Sequence, residues 1–173
     1  DALSYVFGGN PMFWYRAYVS LGRNSLVGSS VKTRMPEHVS ADEKHTWHQG
    51  KKVYLASTAA GGCILGASLS AGADTPSLIS GYQVFQKEST ELQPDYSPHS
   101  VNTDGWEPTQ KAWKYLFPIV QIILCFLHAF LAVRNSCKSQ PSMLKILSQK
   151  AWDAYHAANR SQFSQRLRRL KEW

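Results

Sequence analysis

Two aspartates, Asp42 and Asp104, each lie beside an extended run, where a carboxylate can take part in chemistry. Asp42 follows the small residues that open one run, and Asp104 follows the run 100–103 and precedes Gly105. Two carboxylates brought together form a natural site for hard divalent cations, which prefer oxygen ligands. A pair of such ions activates a water or hydroxyl and stabilises the leaving oxygen in phosphodiester cleavage. Taken singly, each aspartate has a plainer interpretation: Asp104 as a turn residue and Asp42 as an exposed strand-end charge.

The run that carries Asp42 opens a group of three extended runs separated by glycines. These runs cover 39–47, 52–58 and 63–69. Glycine turns between such runs are typical of a three-stranded antiparallel meander. The apolar groups of the second and third runs are typical of strands covered on both faces. A charge at the rim of such a sheet is expected to have a role, because burying it without a partner is costly.

Helices and further strands alternate after the meander. A helix begins at Asp74-Thr75-Pro76, where an aspartate caps and a proline occupies the first turn. The remaining predicted elements are a loop at 91–99, a strand at 100–103, a helix from Glu107, a buried strand at 119–124, a helix from Cys125 to about Asn135, and basic helices at 141–157 and 160–173. Helical spacing predicts the inward-facing residues of the two core helices, which are Leu78, Ile79, Tyr82 and Phe85 in the first and Ala112, Trp113 and Leu116 in the second.

This order predicts an α/β fold of the ribonuclease H-like class, a mixed five-stranded sheet with flanking helices and a helical C-terminal extension. Strands joined by helices lie parallel, so the fourth strand is expected beside the first, with Asp42 and Asp104 at one point of the sheet. Three regions are predicted: 1–35 as the tail of an upstream helical module, 36–137 as the core, and 138–173 as a basic helical segment that begins an insertion or extension.

The charge of the chain is unevenly spread. Its 173 residues include 19 lysines and arginines against 12 aspartates and glutamates, a formal net charge of +7. Basic residues are dense after position 138, which favours a polyanionic partner, nucleic acid first and a membrane surface second. The predicted DNA contacts are the cations of the last helix, Arg160, Arg166, Arg168, Arg169 and Lys171. The plainer interpretation is a solvated basic helix face.

The cysteine count and the hydropathy of the chain indicate which cellular environment the protein occupies. Three cysteines are an odd number, which does not suggest a disulfide framework and favours a reducing, intracellular compartment. The nearly apolar run 115–133 has roughly the 20 residues that a bilayer span needs. Pro118, Gln121 and His128 interrupt it, so we expect a strand followed by a helix and no membrane association. A small membrane protein is the alternative.

Several short motifs resemble the catalytic core of DDE transposases from bacterial insertion sequences. The segments 41–47, 50–56 and 60–67, which read ADEKHTW, GKKVYLA and AGGCILGA, resemble the start of that core. The segment 102–106, NTDGW, resembles its second-aspartate segment. Cys125-Phe126-Leu127-His128 is similar to the Cys-x-x-His of Mutator-like transposases. The resemblance covers about 39–133.

The resemblance implies an enzyme that cleaves and joins DNA with Mg²⁺ (or Mn²⁺). Asp42 and Asp104 take the places of the first two catalytic carboxylates, and Cys125 and His128 are possible accessory residues. The implied partner is DNA, as transposon ends and target. A homo-oligomer is implied for the full-length protein, and a bacterial cytoplasmic location with the host DNA.

The third acidic residue of that family has no matching position in this sequence. Glu172 lies in a basic helix without a strand or cleft beside it, so we expect a fragment whose third acidic residue lies beyond Trp173. Two carboxylates hold at best one ion well, so residues 1–173 alone are expected to bind Mg²⁺ or Mn²⁺ weakly and to nick or join DNA negligibly. Glu43 is expected on the strand face opposite to Asp42.

Two alternatives remain open. One is a zinc site, because two residue pairs supply nitrogen and sulfur ligands: His45 with His48, and Cys125 with His128. The second of these pairs falls in an apolar helical run, where a packing role is the plainer interpretation. The other alternative is a DNA-binding or regulatory remnant without catalysis, which uses the basic helices and exposed aromatic residues.

Overall fold

The computed structural model describes residues 4, 8–21, 25–31 and 34–172. Its elements in that part of the chain are α1 (Pro11–Leu21), α2 (Leu26–Ser30), β1 (His38–His48), β2 (Lys51–Ala60), β3 (Cys63–Ser70), α3 (Thr75–Leu92), β4 (Ser100–Thr103), α4 (Glu107–Leu116), β5 (Gln121–Leu124), α5 (Phe126–Ser136), α6 (Pro141–Tyr155) and α7 (Arg160–Glu172). From β1 onward this order agrees with the predicted one, whereas α2 was not predicted, and Trp173, the predicted end of the last helix, lies outside the described residues. The chain divides into two compact units, Asp1–Ile122 and Ile123–Trp173. The three predicted regions stay a prediction.

One sheet contains all five strands, in the order β3-β2-β1-β4-β5. β1 pairs antiparallel with β2, and β2 pairs antiparallel with β3. The turn between β1 and β2 holds Gln49 and Gly50, both at positive φ, which is the backbone that a tight hairpin requires. β4 lies parallel to β1, with His38 opposite Ser100. This mixed sheet with flanking helices is the predicted ribonuclease H-like fold.

The core lies on one face of the sheet. Every predicted inward residue of α3 and α4 is buried except Ile79, which is partly buried against the core. Aromatic rings dominate the contact between these helices: Trp113 lies 5.2 Å from Tyr82 and 5.9 Å from Phe85, measured between ring centroids. Side chains of this size contribute about 1.5–3 kcal/mol each when they are fully buried, so this cluster stabilises the first unit strongly.

A glycine allows α3 to pack directly on β3. A Cβ added at Gly66 would lie 2.9 Å from Cβ of Phe85, closer than side-chain carbons approach. The backbone of β3 therefore takes the space that a side chain would fill, and Phe85 packs against it. Any larger residue at position 66 would have to displace the helix or the strand.

The prediction that β2 and β3 are covered on both faces is wrong for β3. Ala56 and Thr58 of β2 are buried on the helix side, whereas Leu69 of β3 is 49% exposed and Ile64 is 58% exposed. The reason is that α3 and α4 lie over one face only, and apolar side chains alone do not show which faces of a strand are covered.

The prediction of a buried strand at 119–124 is also wrong in burial and in length. β5 begins at Gln121, and Ile119 before it is 80% exposed. β5 is an edge strand with β4 as its single neighbour, so most of its side chains lie outside the core. Ile122 is the residue of β5 that packs against the core.

Residues before the sheet pack into the core of the first unit. Val27 of α2 is fully buried in the core. The carboxylate of Glu88 on α3 accepts a 2.9 Å hydrogen bond from the hydroxyl of Ser25 and a 3.3 Å hydrogen bond from the backbone N–H of Val27. This carboxylate satisfies an N–H group at the start of α2, where helices lack internal partners.

The second unit is built from α5, α6 and α7. Its centre is aromatic: the ring of Phe126 stacks on Tyr155 at 4.5 Å and meets Trp152 at 5.2 Å. Pro118 and Gln121 precede α5, so the apolar run 115–133 is divided between a strand and a helix. Among the described residues, every helix is too short or too polar to cross a membrane.

Candidate active site

Asp42 lies in the middle of β1, on the face opposite to the core. Its neighbours Val39 and Ala41 are buried, whereas Asp42 is exposed. Ser57 is its partner on β2 and donates a 2.9 Å hydrogen bond from its hydroxyl to the backbone carbonyl of Asp42. These contacts fix the backbone of Asp42 and leave its carboxylate directed away from α3 and α4.

Asp104 follows the last residue of β4. The parallel register pairs His38 with Ser100, Val39 with Val101 and Ser40 with Asn102. Continued by two residues, the same register brings Asp42 level with Asp104, at the point where β4 ends and β1 continues. Neighbouring strands are about 4.8 Å apart, so the continued register would bring the backbones of the two aspartates close together, and the proximity of their carboxylates stays a prediction.

A buried amide oxygen lies beside this point of the sheet. Asn102 is two residues before Asp104 and opposite Ser40, so it shares the face of β1 that carries Asp42. Its side-chain oxygen Oδ1 is buried and has no hydrogen-bond partner among the described residues. An unsatisfied buried acceptor is costly, and a bound cation or water would satisfy it.

Glu43 points toward the helices, as predicted for the residue next to Asp42. Its Oε1 accepts a 2.6 Å hydrogen bond from the hydroxyl of Tyr82 on α3. The same oxygen accepts a 2.8 Å hydrogen bond from the hydroxyl of Thr109 on α4. A carboxylate of β1 therefore links both core helices to the strand that carries Asp42.

The pKa of Glu43 reflects its burial first and the charges of two aspartates second. Burial raises this pKa above its ordinary value, and the negative charges of Asp104 and Asp42 raise it further. The hydrogen bonds from Tyr82 and Thr109 act in the opposite direction, because they stabilise the ionised form. Both aspartates therefore lie close enough to Glu43 to act on its charge.

Asp104 also borders a cavity of about 250 Å³ on the helix side of β1. The lining residues come from β1, β2 and two loops: Glu43, His45, Tyr54, Ala73, Asp104 and Trp106. Asp42 is not among them. The backbone of Asp104 is therefore level with Asp42 in the continued sheet register, and Asp104 also lines the cavity that Glu43 lines.

Four of the five predicted DNA contacts border two recesses on α7. Arg160 and Arg168 border one recess, and Arg166 and Arg169 border another together with Lys150 and Asp153. Arg166 donates a hydrogen bond to the backbone carbonyl of Asp153. Lys171 lies exposed in the last turn. The apolar residues of α7, Phe163, Leu167 and Leu170, line a different cavity of the second unit.

Cys125 and His128 lie in the second unit. Cys125 is the partly buried residue before α5 and makes no side-chain capping hydrogen bond, and His128 is exposed on that helix. Within residues 8–172 as far as they are described, no three His, Cys, Asp or Glu side chains are grouped so that they could hold a metal ion. The zinc alternative therefore has no support from the geometry.

Sequence reasoning missed the residues that surround and position the two aspartates. It did not assign Asn102, and it gave Tyr82 and Thr109 packing roles or none. One signal was present: Asn102 lies two residues before Asp104 in a short extended run, a spacing that puts two side chains on one strand face. The contacts of Glu43 with Tyr82 and Thr109 span 39 and 66 positions and follow no local spacing.

No family model matches the sequence, and no curated protein matches it. Among solved structures, the magnesium-bound catalytic core domain of HTLV-2 integrase in its trimeric form is similar, with a TM-score of 0.39 and 15% identity over 76% of this chain and 95% of that chain. The dimeric form of the same domain gives a TM-score of 0.41 and 13% identity over 79% of this chain and 86% of that chain. A simian T-cell lymphotropic virus intasome in complex with PP2A regulatory subunit B56 gamma gives 0.40 and 14%, over 79% of this chain and 49% of that chain. Likeness at this level leaves the chemistry to be inferred from the chain's own residues.

Proposed function

We propose that this chain is the catalytic core of a DDE-type transposase of the kind carried by bacterial insertion sequences, an enzyme that cleaves DNA strands and transfers them with the help of a divalent metal. The observation that carries the proposal is the parallel pairing of β1 with β4, whose register brings Asp42 level with Asp104. The motifs around these two aspartates resemble that family. In this proposal the enzyme works as a homo-oligomer on host DNA in the bacterial cytoplasm.

The residues at this point of the sheet fit Mg²⁺ or Mn²⁺. Asp42 and Asp104 offer carboxylate oxygens, the donors that hard cations prefer. The buried Oδ1 of Asn102 has no hydrogen-bond partner among the described residues and lies on the same face of the sheet. A divalent ion bound here would supply positive charge that activates a water or hydroxyl and stabilises the leaving oxygen.

The role of the chain's own residues follows from their contacts. Asp42 and Asp104 would hold a divalent ion beside the reacting region of the DNA backbone. Glu43, held by Tyr82 and Thr109, fixes β1 against α3 and α4 and so positions Asp42 on the opposite face. A third acidic ligand belongs to the proposal, because two carboxylates hold an ion only weakly.

The basic helix α7 supplies affinity for the DNA backbone. Its five cations, Arg160, Arg166, Arg168, Arg169 and Lys171, carry the same sign and have Asp153 and Glu172 as the nearest acids in sequence. Contacts between such cations and phosphates are independent of base sequence and weaken steeply with salt. These residues position the DNA and do not select it.

A nicking and strand-transfer assay with Mn²⁺ tests the proposed function. We expect the protein expressed from its natural reading frame to nick plasmid DNA only when Mn²⁺ or Mg²⁺ is present. We expect Asp42→Asn and Asp104→Asn to abolish nicking, and Glu91→Gln, at the exposed end of α3, to retain it. Nicking at the normal rate by both aspartate variants would contradict the proposal.

The second candidate function is DNA binding without catalysis, favoured by the basic recesses of α7. It predicts salt-dependent DNA binding together with no metal-dependent nicking by any version of the protein. The two functions are therefore separated by whether the unchanged protein nicks DNA when Mn²⁺ or Mg²⁺ is present. Nicking that Asp42→Asn abolishes supports the first function, and no nicking by the unchanged protein supports the second.

A further inference from the structure

The cavity beside Asp104 includes side chains that the proposed chemistry does not use. It joins two aromatic side chains, Tyr54 and Trp106, with two carboxylates, Glu43 and Asp104. Its volume of about 250 Å³ is below the usual range of ligand cavities, roughly 300–1,000 Å³. It therefore suits one planar ring system better than a larger ligand.

Trp106 is held rigidly while half of its surface stays exposed. Its indole N–H donates a 3.1 Å hydrogen bond to the backbone carbonyl of Ala73. Its backbone N–H donates a 2.9 Å hydrogen bond to Oδ1 of Asp104. The side chain is nevertheless 51% exposed. A fixed, accessible indole is a good stacking surface, because little conformational entropy is lost when a ring binds to it.

The carboxylates provide acceptors at the same place. The hydroxyls of Tyr82 and Thr109 both donate to Oε1 of Glu43, and Oε2 accepts no hydrogen bond among the described residues. In the part of the chain that the structure describes, Asp104 accepts a hydrogen bond at Oδ1 only. Ionised carboxylates accept hydrogen bonds from amino groups, as they do from N4 of cytosine, and they repel phosphate.

We propose that this cavity receives a single unpaired nucleobase that carries an exocyclic amino group, stacked on Trp106 and hydrogen-bonded to Glu43 or Asp104. The inference rests on the proposed function, because it takes the base from a DNA strand whose backbone lies at Asp42 and Asp104. Asp104 borders both places, so the base would belong to a nucleotide next to the reacting phosphodiester. The cavity then contributes sequence preference at that position, which the backbone contacts of α7 do not.

Binding of single-stranded oligonucleotides of equal length tests the inference, with fluorescence anisotropy as the measurement. Oligo-dC and oligo-dU form a matched pair, because uracil has a carbonyl oxygen where cytosine has its amino group. We expect the protein to bind oligo-dC about tenfold more tightly than oligo-dU, as one lost hydrogen bond to a charged acceptor predicts.

The variants locate this preference. Trp106→Ala should lower the affinity for oligo-dC by roughly 5- to 100-fold, the effect of removing a stacking ring. Trp106→Phe should restore most of it. Trp47→Ala removes an indole that is 68% exposed and does not line the cavity, so it should bind like the unchanged protein. Glu43→Gln should reduce the preference for oligo-dC over oligo-dU, and a thermal melt of each variant confirms folding.

The outcomes separate this inference from the proposed function. Equal binding of oligo-dC and oligo-dU, or normal binding by Trp106→Ala, overturns the base cavity and leaves the metal-dependent reaction in place. Failure to bind any oligonucleotide overturns the cavity together with the DNA-binding part of the proposed function.

Discussion

The hydroxyl of Tyr82 donates a 2.6 Å hydrogen bond to Oε1 of Glu43, across 39 positions of sequence. This bond joins the centre of α3 to β1 one residue from Asp42. Thr109 adds a second bond to the same oxygen from α4. The strand that carries the proposed catalytic aspartate is therefore held in place by a carboxylate on its other face.

The pH dependence of stability follows from the raised pKa of Glu43. Burial, Asp104 and Asp42 raise this pKa above the ordinary value of 4.5. Between 4.5 and the raised value, the folded protein holds more protons at this site than the unfolded chain does. The free energy of unfolding therefore falls as pH increases through that window.

Glu43→Gln should remove this pH dependence, since the amide oxygen still accepts both hydroxyl bonds. We expect the variant to gain no more than about 1 kcal/mol at neutral pH, because solvent screens a partly buried carboxylate. Urea unfolding of the parent and the variant in metal-free buffer, between about pH 4 and 8, measures the free energy of unfolding at each pH. Glu91→Gln, at an exposed position of α3, is the control and should change little. A variant less stable than the parent at neutral pH would contradict the assignment.

Tyr82→Phe should destabilise the first unit. It removes one donor to a charged acceptor, a loss of about 1.5–3 kcal/mol, and Thr109 remains to satisfy the carboxylate. Tyr96→Phe removes a 2.8 Å hydrogen bond to the neutral backbone carbonyl of Pro36 and should cost less, about 0.5–1.5 kcal/mol. Denaturant unfolding of both variants checks this ranking, and the reverse order would argue against the proposed role of Glu43.

Gly66→Ala should lower stability by about 1–3 kcal/mol, the usual cost of overpacking. The added Cβ would lie 2.9 Å from Cβ of Phe85 and force α3 away from β3. Gly105→Ala is the matched control, because an added Cβ there meets no atom within 4 Å. Thermal melts of the two variants make the comparison. Equal melting temperatures would show that α3 does not pack on the backbone of β3 in this way.

DNA binding by α7 should depend steeply on salt. Each phosphate contact contributes about 0.9 to the slope of log affinity against log salt concentration. We expect Arg160→Ala combined with Arg168→Ala to reduce the slope by about 2 when both residues contact phosphates. Lys87→Ala, which removes one exposed cation from α3, serves as the control and should leave the slope unchanged. Affinity that barely changes between low and physiological salt would exclude a phosphate-binding role for this helix.

Much of the fold could be predicted because its signals are local. Glycines at 50, 61 and 62 mark the turns of the meander, and all three have positive φ. Asp74 was predicted as a helix cap, and its side chain accepts a 3.1 Å hydrogen bond from the backbone N–H of Ser77. These features depend on residues within a few positions of one another, which is the range over which sequence patterns carry information.

Other features could not be predicted because they depend on distant parts of the chain. Leu69 and Ile119 are exposed because no described helix covers them. The sequence does not show this, because the same apolar residue types occur on covered and on open faces of a sheet. Alternation placed Glu43 opposite Asp42, but nothing local connects it to Tyr82 and Thr109. The cavity at Trp106 likewise depends on Ala73, 33 positions away.

Binding of Mn²⁺, followed by electron paramagnetic resonance, tests the central claim that Asp42 and Asp104 form one metal site. We expect the protein to bind Mn²⁺ weakly, and Asp42→Asn and Asp104→Asn each to lower the affinity at least about tenfold, because each removes a carboxylate ligand. Glu43→Gln should stay within about threefold of the parent, since it removes only a screened charge on the other face. Normal Mn²⁺ binding by both aspartate variants, or a loss confined to Glu43→Gln, would contradict the claim.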